Sequence, residues 1–204
     1  MLTVARQSGS RQAWLVTNMM HVQLCLYSGR PADVNGHVEQ VLHRYSDPAD
    51  RALMALYSTD LWLVAQVHGL HARWVLGESL DLASECRVQE DRARALNHPY
   101  SLAWTLSWGA MVWLHDGQPE ALLPRLHEAQ ALADAHGYAY VQAMTQFARG
   151  WCQHRLSTGG RACEGLDAMR EGLTAFRATG AGIVVPFFEE RSMSRRKCSS
   201  MAQA

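Results

Sequence analysis

The 204-residue chain predicts an all-α protein built as a row of about four antiparallel helical hairpins. Three observations predict it. Gly69, Gly109 and Gly150 lie inside apolar stretches, 40 and 41 positions apart. Each is followed by a second glycine (Gly77, Gly117, Gly159) and then by a third marker (Asn97, Gly137, Gly180), so that each block reads helix, tight turn, helix, stop. Between the markers, apolar residues recur at three-to-four spacing, while Val, Ile and Thr are scattered and strands have no support.

The elements follow in order. Gln12–Tyr27 reads as a helix, Ser28–Gly29–Arg30–Pro31 as a turn, and Asp33–Tyr45 as its partner. Ser46–Asp47–Pro48 breaks the pattern, and Ala49–Tyr57 is expected to form a short helix. In the next block Leu61, Val64, Ala65, Gly69 and Ala72 make one face; in the following one, Leu102, Leu106, Gly109, Ala110 and Val112–Trp113 do. Their partners are predicted over Leu80–Leu96, Pro119–Ala135 and Ala162–Ala178. Pro99 and Pro119 suit a helix start, where the missing N–H does no harm. Pro124 suits only a first turn or a kink. A glycine inside a helix costs about 1 kcal/mol relative to alanine, so the first glycine of each block is expected where a neighbouring helix comes close. The second supplies the turn, and the third caps the helix in a left-handed conformation.

Composition removes several functions. Hydrophobic residues make up 48% of the chain, enough for a core, and Lys+Arg and Asp+Glu are both 19, so the formal net charge is zero. A non-specific nucleic-acid binder or an anionic-membrane binder would be basic; neither nucleic acid nor membrane is expected as a partner. The sole lysine is Lys197. No P-loop, kinase strand lysine or core Schiff-base lysine exists. Cys25, Cys86, Cys152, Cys163 and Cys198 are odd in number, widely spaced and without Cys-x-x-Cys, which reads as reduced thiols in a cytoplasmic protein. No secretory signal or spanning segment is evident.

Several stretches resemble a known family. Tyr45–Ser46–Asp47–Pro48, Tyr57–Ser58–Thr59–Asp60, Trp74–Val75–Leu76–Gly77, Asn97–His98–Pro99–Tyr100–Ser101–Leu102–Ala103 and Gly172–Leu173–Thr174–Ala175–Phe176–Arg177–Ala178–Thr179–Gly180 resemble the C-terminal tetratricopeptide (TPR)-like repeats of large bacterial regulators. Those regulators join an ATPase, and often a nucleotide cyclase or DNA-binding domain, to helical repeats. The resemblance implies a TPR-like solenoid over residues 10–188, a repeat of about 40 residues, and a role in protein–protein interaction or scaffolding. The ATPase and cyclase modules have no counterpart here. Counting twelve residues on from each first glycine gives Asp81, Ala121 and Ala162; the two alanines match the small residue of a repeat's second helix, and Asp81 departs. Residues 1–9 are expected as an N-terminal extension and 189–204 as a polar tail without order, which a truncated remnant of such a regulator would produce. An incomplete last repeat would favour self-association.

No chemistry assembles from the titratable residues. His68 and His71 are three apart without a His-Glu-x-x-His pattern, His115–Asp116 lacks a nucleophile elbow, and Arg87–Asp91 and Glu90–Arg94 read as surface helix pairs. No catalytic residue, metal or cofactor is expected. The tryptophans (Trp14, Trp62, Trp74, Trp104, Trp108, Trp113, Trp151) all fall on first helices. In the resembled solenoid those helices line a concave groove. Carrying its positions over gives Gln66, Leu70, Arg73 and Trp74, then Leu106, Ala110, Trp113 and Leu114, then Trp151, His154 and Arg155. Of these, Gln66, Arg73, Trp74, Trp113, Trp151, His154 and Arg155 are the candidate groove residues for a protein or peptide partner, Trp and Arg being enriched in binding hot spots. The alternative is a sensor domain that takes a small apolar or aromatic effector between helices.

Overall fold

The computed structural model describes residues 1–192. Lys197, Cys198 and the rest of the expected tail from 193 onward lie outside the described residues. Among those described there are eleven α-helices, two short 3-10 turns and no strand, so the chain is all-α. It divides into two compact units, 1–105 and from 106 onward, and the division falls within one helix, α7 (Pro99–Asp116).

In the first unit, α1 (Leu2–Gln7) occupies most of the expected extension. Helix α2 (Arg11–Tyr27) and α3 (Val34–Arg44) form the first hairpin, and α5 (Leu61–Val75) packs on both. Their shared core holds Val22, Cys25, Val34, Val38 and Ala72. A β-carbon on Gly69 would sit 3.1 Å from Val38 Cγ2, so this glycine admits α3. The region expected as a short helix is a 3-10 turn (Arg51–Leu53) running into α4 (Met54–Tyr57). Helix α6 (Leu82–Ala95) pairs with α5, its Ala93 and Leu96 meeting Leu63.

A buried polar knot fastens the irregular segment 45–60 to these helices. Asp60, whose side chain is fully buried, caps α5 by accepting from the Leu63 amide at 3.1 Å and also accepts from the Tyr45 hydroxyl. Burial, then the neighbouring Asp60, pushes the Tyr45 phenol far above its ordinary value. Arg92 of α6 sits 3.0 Å from Asp47 and 3.6 Å from Asp60, with its guanidinium over the Tyr45 and Trp62 rings. A buried carboxylate is tolerated because it is paired and hydrogen-bonded.

In the second unit, α8 (Pro119–His136), α9 (Ala139–Leu156) and α10 (Gly159–Ala178) pack in sequence. Pro119 starts α8 as expected, and Pro124 lies inside it. Backbone meets backbone between α9 and α10: a β-carbon on Gly150 would fall 2.7 Å from the Gly165 carbonyl, and one on Gly172 would fall 2.6 Å from the Phe147 amide. Helix α11 (Val185–Ser192) packs on α10. Its Phe188 is buried and stacks on Phe147 at 3.8 Å with Phe176 at its edge. Residues 189–192, expected to begin the irregular tail, are therefore helical.

The glycine markers divide by role. Gly77, Gly117, Gly159, Asn97, Gly137 and Gly180 all have positive φ, as turns and caps require. The three in-helix glycines are not equivalent. Gly69 and Gly150 are close-approach sites, whereas a β-carbon on Gly109 would meet nothing within 4 Å; close packing does not account for Gly109. Cys25, Cys86 and Cys152 are buried free thiols.

Candidate functional site

The seven candidate groove residues divide between the two units. In the first, the Gln66 backbone carbonyl accepts from the Gln89 side-chain amide at 3.4 Å, and Trp74 is half-buried near the end of α5. Arg73 donates to Glu78 at 2.8 Å and to Glu85 of α6 at 2.9 Å. Its hydrogen bond to the Glu78 carboxylate does most to hold its pKa above the ordinary arginine value. Arg73 therefore ties its own hairpin together, and a partner would have to compete with two carboxylates.

In the second unit, Trp113 and Trp151 are only 3% and 4% exposed. The Arg125 guanidinium lies 4.9 Å over the Trp113 ring. Both indoles belong to the core, which corrects their placement on an open groove; their large apolar area is satisfied by burial within the chain. His154 is half-buried and its Nδ1–H donates to the Ala162 carbonyl at 2.9 Å, while Arg155 is exposed at the end of α9.

Gly150, where α10 touches α9, lies at the edge of a face of α9 that carries Gln142, Gln146, Arg149 and Gln153, at steps of four, three and four. These side chains line a cleft of about 370 Å³ together with Gln130 and Asp134 of α8 and Ala168 of α10. That polar stripe at helical spacing is legible in the sequence, though it lies apart from the Trp and Arg positions that the resemblance picks out.

The stripe is ordered by its own amides. Gln142 donates to Asp134 at 3.0 Å, as does Gln130 at 2.7 Å, and Gln130 in turn accepts from the Thr145 hydroxyl at 2.7 Å. Gln146 donates to Glu171 at 3.1 Å, and Gln153 donates to Glu164 at 3.2 Å and to the Arg161 carbonyl at 3.1 Å. Each of these three α9 glutamines uses its N–H on a neighbouring helix. Their carbonyl oxygens accept nothing among the described residues, and Arg149 is exposed without a carboxylate in ion-pair range there. The cleft thus presents a row of acceptors with a cation among them.

A second opening, of about 430 Å³, lies in the first unit and is lined by Met19, Met20, Tyr57, Tyr100 and Trp104, with Gln23 and Thr59 as polar groups. Behind Trp104 lies His68, its ring 5.8 Å from the indole. His68 donates from Nδ1 to the Val64 carbonyl at 2.8 Å and accepts at Nε2 from the Tyr27 hydroxyl at 3.0 Å. Burial lowers its pKa to about 4. No group of three or more His, Cys, Asp or Glu among the described residues is arranged to hold a metal, and no described helix is long and apolar enough to cross a membrane.

Compared with known proteins, the chain matches no family model, and neither a curated protein sequence nor a solved structure matches it significantly.

Proposed function

We propose that the chain is a non-enzymatic protein-interaction module of the TPR-like kind, acting as a docking platform for an extended peptide segment. The observation that supports this most is the α9 stripe. Three glutamine carbonyls in one row match the N–H groups that an extended backbone directs to one side, and Arg149 sits among them to pair with an acidic side chain of the partner. The resemblance of segments 45–48, 57–60 and 97–103 to repeats of bacterial signalling ATPases and cyclases supports a signalling role for that platform.

The test is selection of peptides on the purified chain from a display library, followed by calorimetric titration of the enriched peptides. Arg149→Glu should weaken binding about tenfold or more, the worth of one charge-assisted hydrogen bond, and Gln146→Ala about two- to tenfold, the worth of a neutral one. Arg155→Glu, at the helix end, should change it little. Peptides that bind Arg149→Glu as tightly as the unaltered chain would rule out the α9 stripe. A second reading, an effector site for a small aromatic molecule, is favoured by the 430 Å³ opening with its Met, Tyr and Trp lining. A saturable change in tryptophan fluorescence with small aromatics, and no selected peptide, would favour it.

A further inference from the structure

A cleft of about 910 Å³ in the first unit lies among α1, α2 and α3. Its lining includes positions 11, 14 and 18 of α2 and 37, 40 and 44 of α3, residues at helical spacing on facing sides. Trp14 forms part of the floor, with 7% of its surface exposed. The Arg6 guanidinium lies 5.2 Å from the Trp14 ring centre and that of Arg44 4.9 Å. Two cations therefore stand within roughly 10 Å of each other on one indole.

Both guanidiniums are uncommitted. Arg11, Arg51, Arg73 and Arg92 each have a carboxylate partner, but Arg6 and Arg44 have none among the described residues. A guanidinium laid on an aromatic face keeps its N–H fork at the edge, oriented for an oxyanion. Around them the site is held rigidly. Arg11 donates to the Arg44 carbonyl at 3.0 Å and pairs with the buried Asp50. His37 donates to the Asn18 side-chain Oδ1 at 2.9 Å, and the Asn18 side-chain amide donates to the Trp14 backbone carbonyl at 2.9 Å. One carboxylate also lines the cleft, Asp33, and it is paired with Arg30 at 3.4 Å. The cleft volume is that of a small-molecule site.

We propose that this cleft binds a small polyanion, a molecule bearing two or more phosphate or carboxylate groups, with Arg6 and Arg44 as its anchors and the Gln40 amide as a further donor. The site is separate from the α9 stripe and does not depend on the interaction reading. The test is isothermal titration of the full chain with pyrophosphate and with citrate, which separate phosphate from carboxylate preference, and with inorganic phosphate as a monovalent-site control. One of the two polyanions should bind in the micromolar range with an affinity that falls as salt rises. The double variant Arg6→Gln/Arg44→Gln should lose about tenfold or more, since two charge-assisted contacts go, while Arg161→Gln, an exposed arginine elsewhere, should not. Both variants are checked for an unchanged helical circular-dichroism spectrum. Independently of any variant, the His37 ring resonance of the unaltered protein should shift on titration while that of His127, an exposed residue of the second unit that does not line the cleft, stays fixed. Failure of both polyanions to bind, equal loss in Arg161→Gln, or an unmoved His37 resonance would overturn the proposal.

Discussion

At His68 the two ring nitrogens have opposite duties: Nδ1 gives its proton to the Val64 carbonyl and Nε2 receives one from Tyr27. That arrangement is satisfied only by the neutral ring, and full burial makes a second proton costly. The folded pKa of about 4 lies well below that of a free imidazole, so the unfolded chain takes up the proton first. Stability is therefore complete above about pH 6.5 and falls as pH drops toward 4, by up to about 1.4 kcal/mol per pH unit for such a group. His115, whose pKa burial and Arg191 also lower to about 4, acts in the same direction. Urea denaturation at a series of pH values should show this slope, and His68→Gln should flatten part of it. An equal slope in the variant would show that His68 is not the group responsible.

At the scale of elements, the boundaries were largely legible and the contacts were not. Residues 12–27 and 119–135 were predicted helical, and the helices run Arg11–Tyr27 and Pro119–His136, because caps, prolines and left-handed glycines are local signals. What a glycine touches is set by tertiary packing, which local pattern does not encode. Gly69, Gly109 and Gly150 look alike in sequence yet face Val38, open space and the α10 backbone. Gly165 and Gly172, which make the closest approach, fall outside the 40-residue pattern, so spacing does not mark them as packing sites. A tryptophan stripe on a helix reads equally well as core or as anchor, and the buried Trp113 and Trp151 belong to the first kind. The α9–α10 contact also predicts opposite outcomes for one substitution at two sites. A β-carbon on Gly165 would fall 2.5 Å from the His154 amide nitrogen, a backbone atom that cannot swing aside. Gly165→Ala should cost roughly 1–3 kcal/mol despite its better helix propensity. Gly160→Ala, in the same helix with nothing within 4 Å, should gain up to about 1 kcal/mol. Denaturation midpoints of the two variants decide the matter; a Gly165→Ala chain as stable as Gly160→Ala would mean the helices do not touch there.

For the molecule as a whole, charge balance links solubility to these buried histidines. Basic and acidic residues cancel at 19 each, and the sequence isoelectric point is about 7.1. Near neutral pH no net charge keeps copies apart, and exposed apolar side chains such as Leu56 and Val75 can meet. Acidification charges histidines first. Of the 10 in the chain, His37, His68 and His115 resist because burial lowers their pKa values. Going from pH 7 to pH 6 should therefore add positive charge at the surface while the buried rings remain neutral and the fold intact. Solubility against polyethylene glycol should be lowest near pH 7 and rise toward pH 6. Below that, the gain should reverse as the stability tied to His68 and His115 drains away and unfolded chains aggregate. Added salt should shrink the rise between pH 7 and 6, because it screens the repulsion that produces it, but leave the acid limb in place, because that limb is set by proton uptake on unfolding. A solubility curve that climbs steadily down to pH 4, with no turning point, would mean that the buried imidazoles accept protons within the folded chain.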